Sequence, residues 1–102
     1  MKKIINGKMY NTETAKRLGE YDNGYAINDF SHVYEALYLK KTGEYFLYGK
    51  GGAMSKYSEP CGSNCWCGGK RIIPLTESEA KEWAERKLDA DEYVEIFGEV
   101  EE

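Results

Sequence analysis

Histidine occurs once in this chain, at His32, and proline only twice. A single imidazole supplies no HxxxH pair for zinc. Without a recognisable Ser or Cys elbow it is also a weak start for nucleophilic catalysis. Long apolar runs are missing as well, which excludes a membrane-spanning helix. The first ten residues, MKKIINGKMY, contain no apolar stretch of signal-peptide length, so the expected location is the cytoplasm. Thiols stay reduced there, and three cysteines, an odd number, agree with that expectation. Gly49-Lys50-Gly51-Gly52 is like a phosphate loop only in composition, because the Lys-Ser/Thr pair that completes such loops is absent.

What is present fits one globular domain over residues 1–102. Charge is unevenly spread. Residues 76–102 hold eleven Asp and Glu against Lys81, Arg86 and Lys87, a balance of −8, whereas the first 75 residues balance at +4. The ordinary reading of the acidic segment is a solvated helix face. The sharper one is a negative surface that meets a basic groove on a partner and steers association with it.

The pattern predicts an α+β domain: a small antiparallel sheet of two hairpins plus a short strand, a short N-terminal helix and two C-terminal helices. Asn6-Gly7 between apolar pairs is a strong two-residue hairpin signal. Thr12-Glu13-Thr14-Ala15 has the chemistry of a helix start, with Gly19 to end it. Tyr34–Lys40 and Glu44–Tyr48 form a second hairpin around Gly43, in a register that sets Tyr38 opposite Phe46 and Leu37 opposite Leu47. One face then carries Leu37, Leu39, Tyr45 and Leu47, the other Tyr34, Tyr38, Phe46 and Tyr48. Both faces need cover, from helices on one side and a second layer or a partner on the other. A loop runs from Gly49 to about Gly69, and Arg71–Pro74 is a short strand that stops at its proline. Thr76-Glu77-Ser78-Glu79 is a capping box, opening a helix with Ala80, Trp83 and Ala84 on one stripe. Asp89 starts a second helix.

All three cysteines fall in CGSNCWCGGK, residues 61–70. Cys61, Cys65 and Cys67 are weak metal candidates: their spacing is irregular, and a fourth zinc ligand would have to come from His32 or a carboxylate. The CxxC spacing of redox enzymes is absent. A turned loop with Trp66 tucked in is the expectation, with no cofactor. Nine tyrosines are the more unusual feature. Tyr34, Tyr38 and Tyr48, with Lys40 and Lys50, would suit a binding surface or a stacking platform for single-stranded nucleic acid, if they do more than cover the sheet.

MKKIINGKMYNTETAK, GEYFLYGKGGAMSKY and RIIPLTESEAKEWAE together resemble a group of small proteins carried by phages and conjugative elements of Gram-positive bacteria. Such elements carry inhibitors of host defence, including anti-CRISPR proteins. The resemblance implies a cytoplasmic, non-enzymatic inhibitor that binds an RNA-guided effector nuclease of the host. It supplies no catalytic residues. The residues expected to make the contact are Glu79, Glu82, Glu85, Asp89 and Glu92 on the helices, anchored by Tyr34, Tyr38, Tyr48 and Trp66. The alternatives are a nucleic-acid-binding accessory protein that uses the N-terminal hairpin and the tyrosine face, or a small zinc protein.

Overall fold

The computed structural model describes residues 1–26 and 28–100. Glu101 and Glu102, which the charge balance includes, lie outside them. The strands are β1 (Lys2–Ile5), β2 (Lys8–Asn11), β3 (Lys16–Asp22), β4 (Val33–Leu39), β5 (Tyr45–Gly51), β6 (Glu59–Gly62), β7 (Cys65–Cys67) and β8 (Gly69–Leu75). Two helices follow, α1 (Glu77–Lys87) and α2 (Ala90–Phe97). The central sheet has four antiparallel strands in the order β3-β4-β5-β8, and β1-β2 and β6-β7 are separate two-stranded ribbons.

The chain is α+β, but the arrangement differs from the expected one. No N-terminal helix forms. Thr12–Ala15 is a turn in which the Asn11 side chain accepts from the Glu13 N–H and the Asn11 carbonyl accepts from Ala15. Residues 16–22 then pair along the edge of β4 as β3. Tertiary pairing overrides the local helix signal here, as it often does for short segments. Gly19 does not end a helix. A Cβ there would sit 2.8 Å from Leu88 Cδ1, so its bare backbone lets α1 end close against β3. Strand β8 also runs through Pro74 to Leu75, paired with Phe46 and Tyr45. An edge strand tolerates proline, because the missing N–H can face away from the ladder. The supposed loop between Gly49 and Gly69 contains the ribbon β6-β7.

The two hairpins have the expected form. Asn6 and Gly7 both have positive φ, 52° and 78°. In the β4-β5 ladder Tyr38 faces Phe46 and Leu37 faces Leu47. Leu37 and Leu47 pack with Ala80, Trp83 and Ala84 of α1 to form the larger core. The complete capping box at Thr76 and Glu79 fixes where that helix begins. Phe46 and Ile72, on the other face, are covered by Tyr10 of the β1-β2 ribbon, whose ring meets Phe46 edge-on at 5.5 Å. Hydrophobic burial on both faces therefore fixes the sheet, and the ribbon is the second layer the tyrosine face needs.

Candidate functional site

Three surfaces carry the residues singled out in the sequence: an acidic helical layer, a tyrosine face on the other side of the sheet, and a groove at Trp66 that adjoins the tyrosine face through Lys50. The acids lie in the helical layer and are all exposed. Two of them are occupied structurally. The Glu79 carboxylate accepts from the Thr76 N–H in the capping box, and Asp89 caps α2 by accepting from the Glu92 N–H. Glu82, Glu85 and Glu92 make no ion pair among the described residues, so their charge is free to face a partner.

Tyr34, Tyr38 and Tyr48 are half-buried on the opposite face of the sheet. Tyr38 stacks on Phe46 at 5.1 Å, and the Tyr34 hydroxyl donates to Glu20 at 2.6 Å. Burial and that carboxylate push the Tyr34 phenol up to about 12. Lys50 sits 5.4 Å over the Tyr34 ring, within the expected group, whereas Lys40 sits 4.1 Å over Tyr10 of the ribbon instead. The tyrosines and the acids cannot share one contact, because the sheet lies between them.

Trp66 occupies the third surface. It is 60% exposed on β7 rather than tucked into a loop. Together with Phe30, 66% exposed, it lines an open groove of about 640 Å³ between the 28–32 loop and β7. Lys50 and Lys70, directly opposite each other in the β5-β8 ladder, line the same groove. Glycines let its walls close up. A Cβ on Gly52 would lie 2.4 Å from the Asp29 carbonyl oxygen, and one on Gly68 2.7 Å from the Gly51 carbonyl oxygen. The signal for this groove was in the sequence, as paired glycines at 51–52 and 68–69 beside lysines at 50 and 70, but sequence spacing alone did not bring them together.

The cysteines depart from the expected reduced state. Cys61 and Cys67 form a disulfide, while Cys65 is a free, exposed thiol whose sulfur lies 3.2 Å from that of Cys61. The three sulfurs lie within 4.8 Å of one another, and no histidine or carboxylate joins the cluster among the described residues. His32 is instead buried, with Nδ1 3.0 Å from the Tyr25 carbonyl. The oxidised loop thus ties up two of its three candidate ligands.

A charged site that sequence reasoning missed lies inside the protein. Glu35 is fully buried on the helix-side face of β4. It accepts from Trp83 Nε1 at 3.1 Å and from the Tyr57 hydroxyl, and pairs with Lys56 Nζ at 2.7 Å. Burial alone would raise its pKa, but the hydrogen bonds from Lys56, Tyr57 and Trp83 outweigh it and hold the carboxyl below its ordinary range. Burial and the same carboxylate push the Tyr57 phenol up. A signal existed: Glu35 shares the strand face of Leu37 and Leu39, so the alternation already pointed a carboxylate inward. With every polar partner satisfied, the cluster reads as structural rather than catalytic.

Comparison with protein-family models, curated proteins and solved structures finds no match to the chain. Among the described residues, no helix is long and apolar enough to cross a membrane.

Proposed function

We propose that this chain is a non-enzymatic, cytoplasmic binding protein that inhibits a host defence system by occupying a basic surface of an RNA-guided effector nuclease. One observation carries the reading. Glu82, Glu85 and Glu92 are exposed on the helical layer and form no ion pair among the described residues, in a segment whose balance is −8. A negative layer of this kind meets positive grooves that ordinarily hold nucleic acid, and its field speeds the encounter. The resemblance to mobile-element proteins supplies the choice of partner. The contact surface is narrower than the sequence implied: the helical layer acts without Tyr34, Tyr38, Tyr48 or Trp66.

The test is the variant Glu82→Gln/Glu85→Gln/Glu92→Gln against a panel of effector nucleases, read as association rate. At low salt the variant is expected to associate several-fold more slowly than the parent. The difference should shrink as ionic strength shortens the range of the field to about 8–10 Å. Equal rates at low salt would remove the acidic helical layer from the function.

A further inference from the structure

The groove at Phe30 and Trp66 is lined by none of the acids of the helical layer. We infer that the groove between Phe30 and Trp66 binds single-stranded nucleic acid, with Lys50 and Lys70 on the phosphates and the two aromatic rings stacked on bases. The inference stands independently of the helical layer's partner.

Four observations carry it. Phe30 and Trp66 are exposed by about two-thirds while the other tryptophan, Trp83, is buried. Leaving large planar side chains in water is costly, and here they stand on two walls of one groove. Lys50 and Lys70 sit side by side on neighbouring strands, and neither has a carboxylate within 4.0 Å among the described residues. The Lys50 ammonium rests on the Tyr34 ring, 5.4 Å from its centroid. Neither cation is neutralised by an anion among the described residues, and a phosphate would supply one. Of the carboxylates near the groove among the described residues, Asp29 on the lining already accepts from the Ser31 N–H at 2.7 Å, and Glu59 lies beside Gly69 but pairs with neither lysine. The groove is built rather than incidental, since Gly51, Gly52, Gly68 and Gly69 each occupy places where a Cβ would strike neighbouring backbone.

Cations along a channel with aromatic planes beside it are what a flexible, unpaired strand requires, because every base offers a face to stack and every nucleotide a phosphate. A duplex hides its base faces and gains only the charge term. A peptide would use both features only where its own acidic and aromatic residues happen to be spaced to match, whereas a single strand presents a phosphate and a base face at every nucleotide. The occupant is therefore a single strand, with no dependence on base identity implied.

The experiment is fluorescence anisotropy of a labelled oligo(dT) of about twelve nucleotides, a length within the usual range for one small domain. The full chain is used without reductant. Binding is expected at low salt, with a slope of log affinity against log salt of about −1.4 if two phosphates are held. Trp66→Ala and Phe30→Ala are each expected to weaken binding by about tenfold, the effect of losing one stacked base. Lys50→Ala/Lys70→Ala should flatten the salt slope. Trp66, on β7, and Phe30, in the 28–32 loop, come from different segments and are exposed, so loss in both variants with unchanged thermal melting cannot be a folding defect. A duplex of equal length should bind more weakly than the strand. The proposal is overturned if the oligonucleotide does not bind at low salt, if the aromatic variants bind like the parent, or if duplex and strand bind equally. The variant Glu82→Gln/Glu85→Gln/Glu92→Gln should retain strand binding in full. Its failure against nucleases and the groove's failure against oligonucleotide are therefore separate results.

Discussion

The two faces of the central sheet solve the same problem by different means. On the helix side, Leu37 and Leu47 are sealed under Ala80, Trp83 and Ala84, and even the charge there is internal, with Glu35 held by three donors. The other side carries a ribbon that covers one end, where Tyr10 meets Phe46, and leaves Tyr34, Tyr48 and Lys50 partly in water. The first face carries the larger buried cluster. The second has aromatic and cationic groups to spare, and it leads into the groove. Substitutions should therefore separate by burial: changes in the sealed helix-side core move stability, and changes at the exposed acids or at the open end of the other face move binding.

Trp83→Ala is the strongest way to break that contrast. It opens a cavity in the larger core and leaves a Glu35 oxygen without its donor. A loss of about 3–5 kcal/mol is expected in urea unfolding. A change within experimental error would mean that the helices are held to the sheet by something other than this side chain.

Glu35→Gln comes next. It keeps the shape but removes the charge that Lys56 pairs with, and it can turn an amide N–H toward the Trp83 or Tyr57 donors. A loss of about 1–3 kcal/mol is expected. The parent should also show an acid limb. Because the folded-state pKa of Glu35 lies below its unfolded value, the stabilisation is fully present above pH about 4.5 and is lost as pH falls through the lower folded value. Glu35→Gln should flatten that limb between pH 5 and the acid transition, measured as melting temperature against pH. An unaltered limb would assign the acid sensitivity to other carboxylates.

Much of this arrangement can be read from residue patterns, and the parts that cannot share a cause. Asn6-Gly7, the register around Gly43 and the capping box at Thr76 are local signals: each depends on the φ or hydrogen bonds of adjacent residues, and each is realised. The Thr12 segment had equally good local chemistry, yet it became a turn because the free edge of β4 needed Lys16–Asp22 as a neighbouring strand. The groove depends on contacts between residues 29–32, 51–52 and 66–70, which no local rule connects. The acids and tyrosines were readable as residue types, but only the sheet between them shows that they face opposite ways.

The smallest expected effect concerns the cysteine ribbon. Every residue of β6 and β7 is exposed, and no core cluster includes any of them. The Cys61–Cys67 crosslink closes a separation of six residues, so whatever chain entropy it removes belongs to a segment that can open without disturbing the core. Cys61→Ser/Cys65→Ser/Cys67→Ser is therefore expected to change global stability by less than about 1 kcal/mol. Amide exchange within residues 59–67 should nevertheless quicken markedly. Trp66 would lose its fixed position on the groove wall, so the same variant should weaken oligonucleotide binding while its melting temperature holds. A large drop in melting temperature would show that the ribbon folds as one unit with the sheet. Stoichiometric zinc in the reduced parent, with unfolding on chelation, would instead make the three sulfurs a metal site.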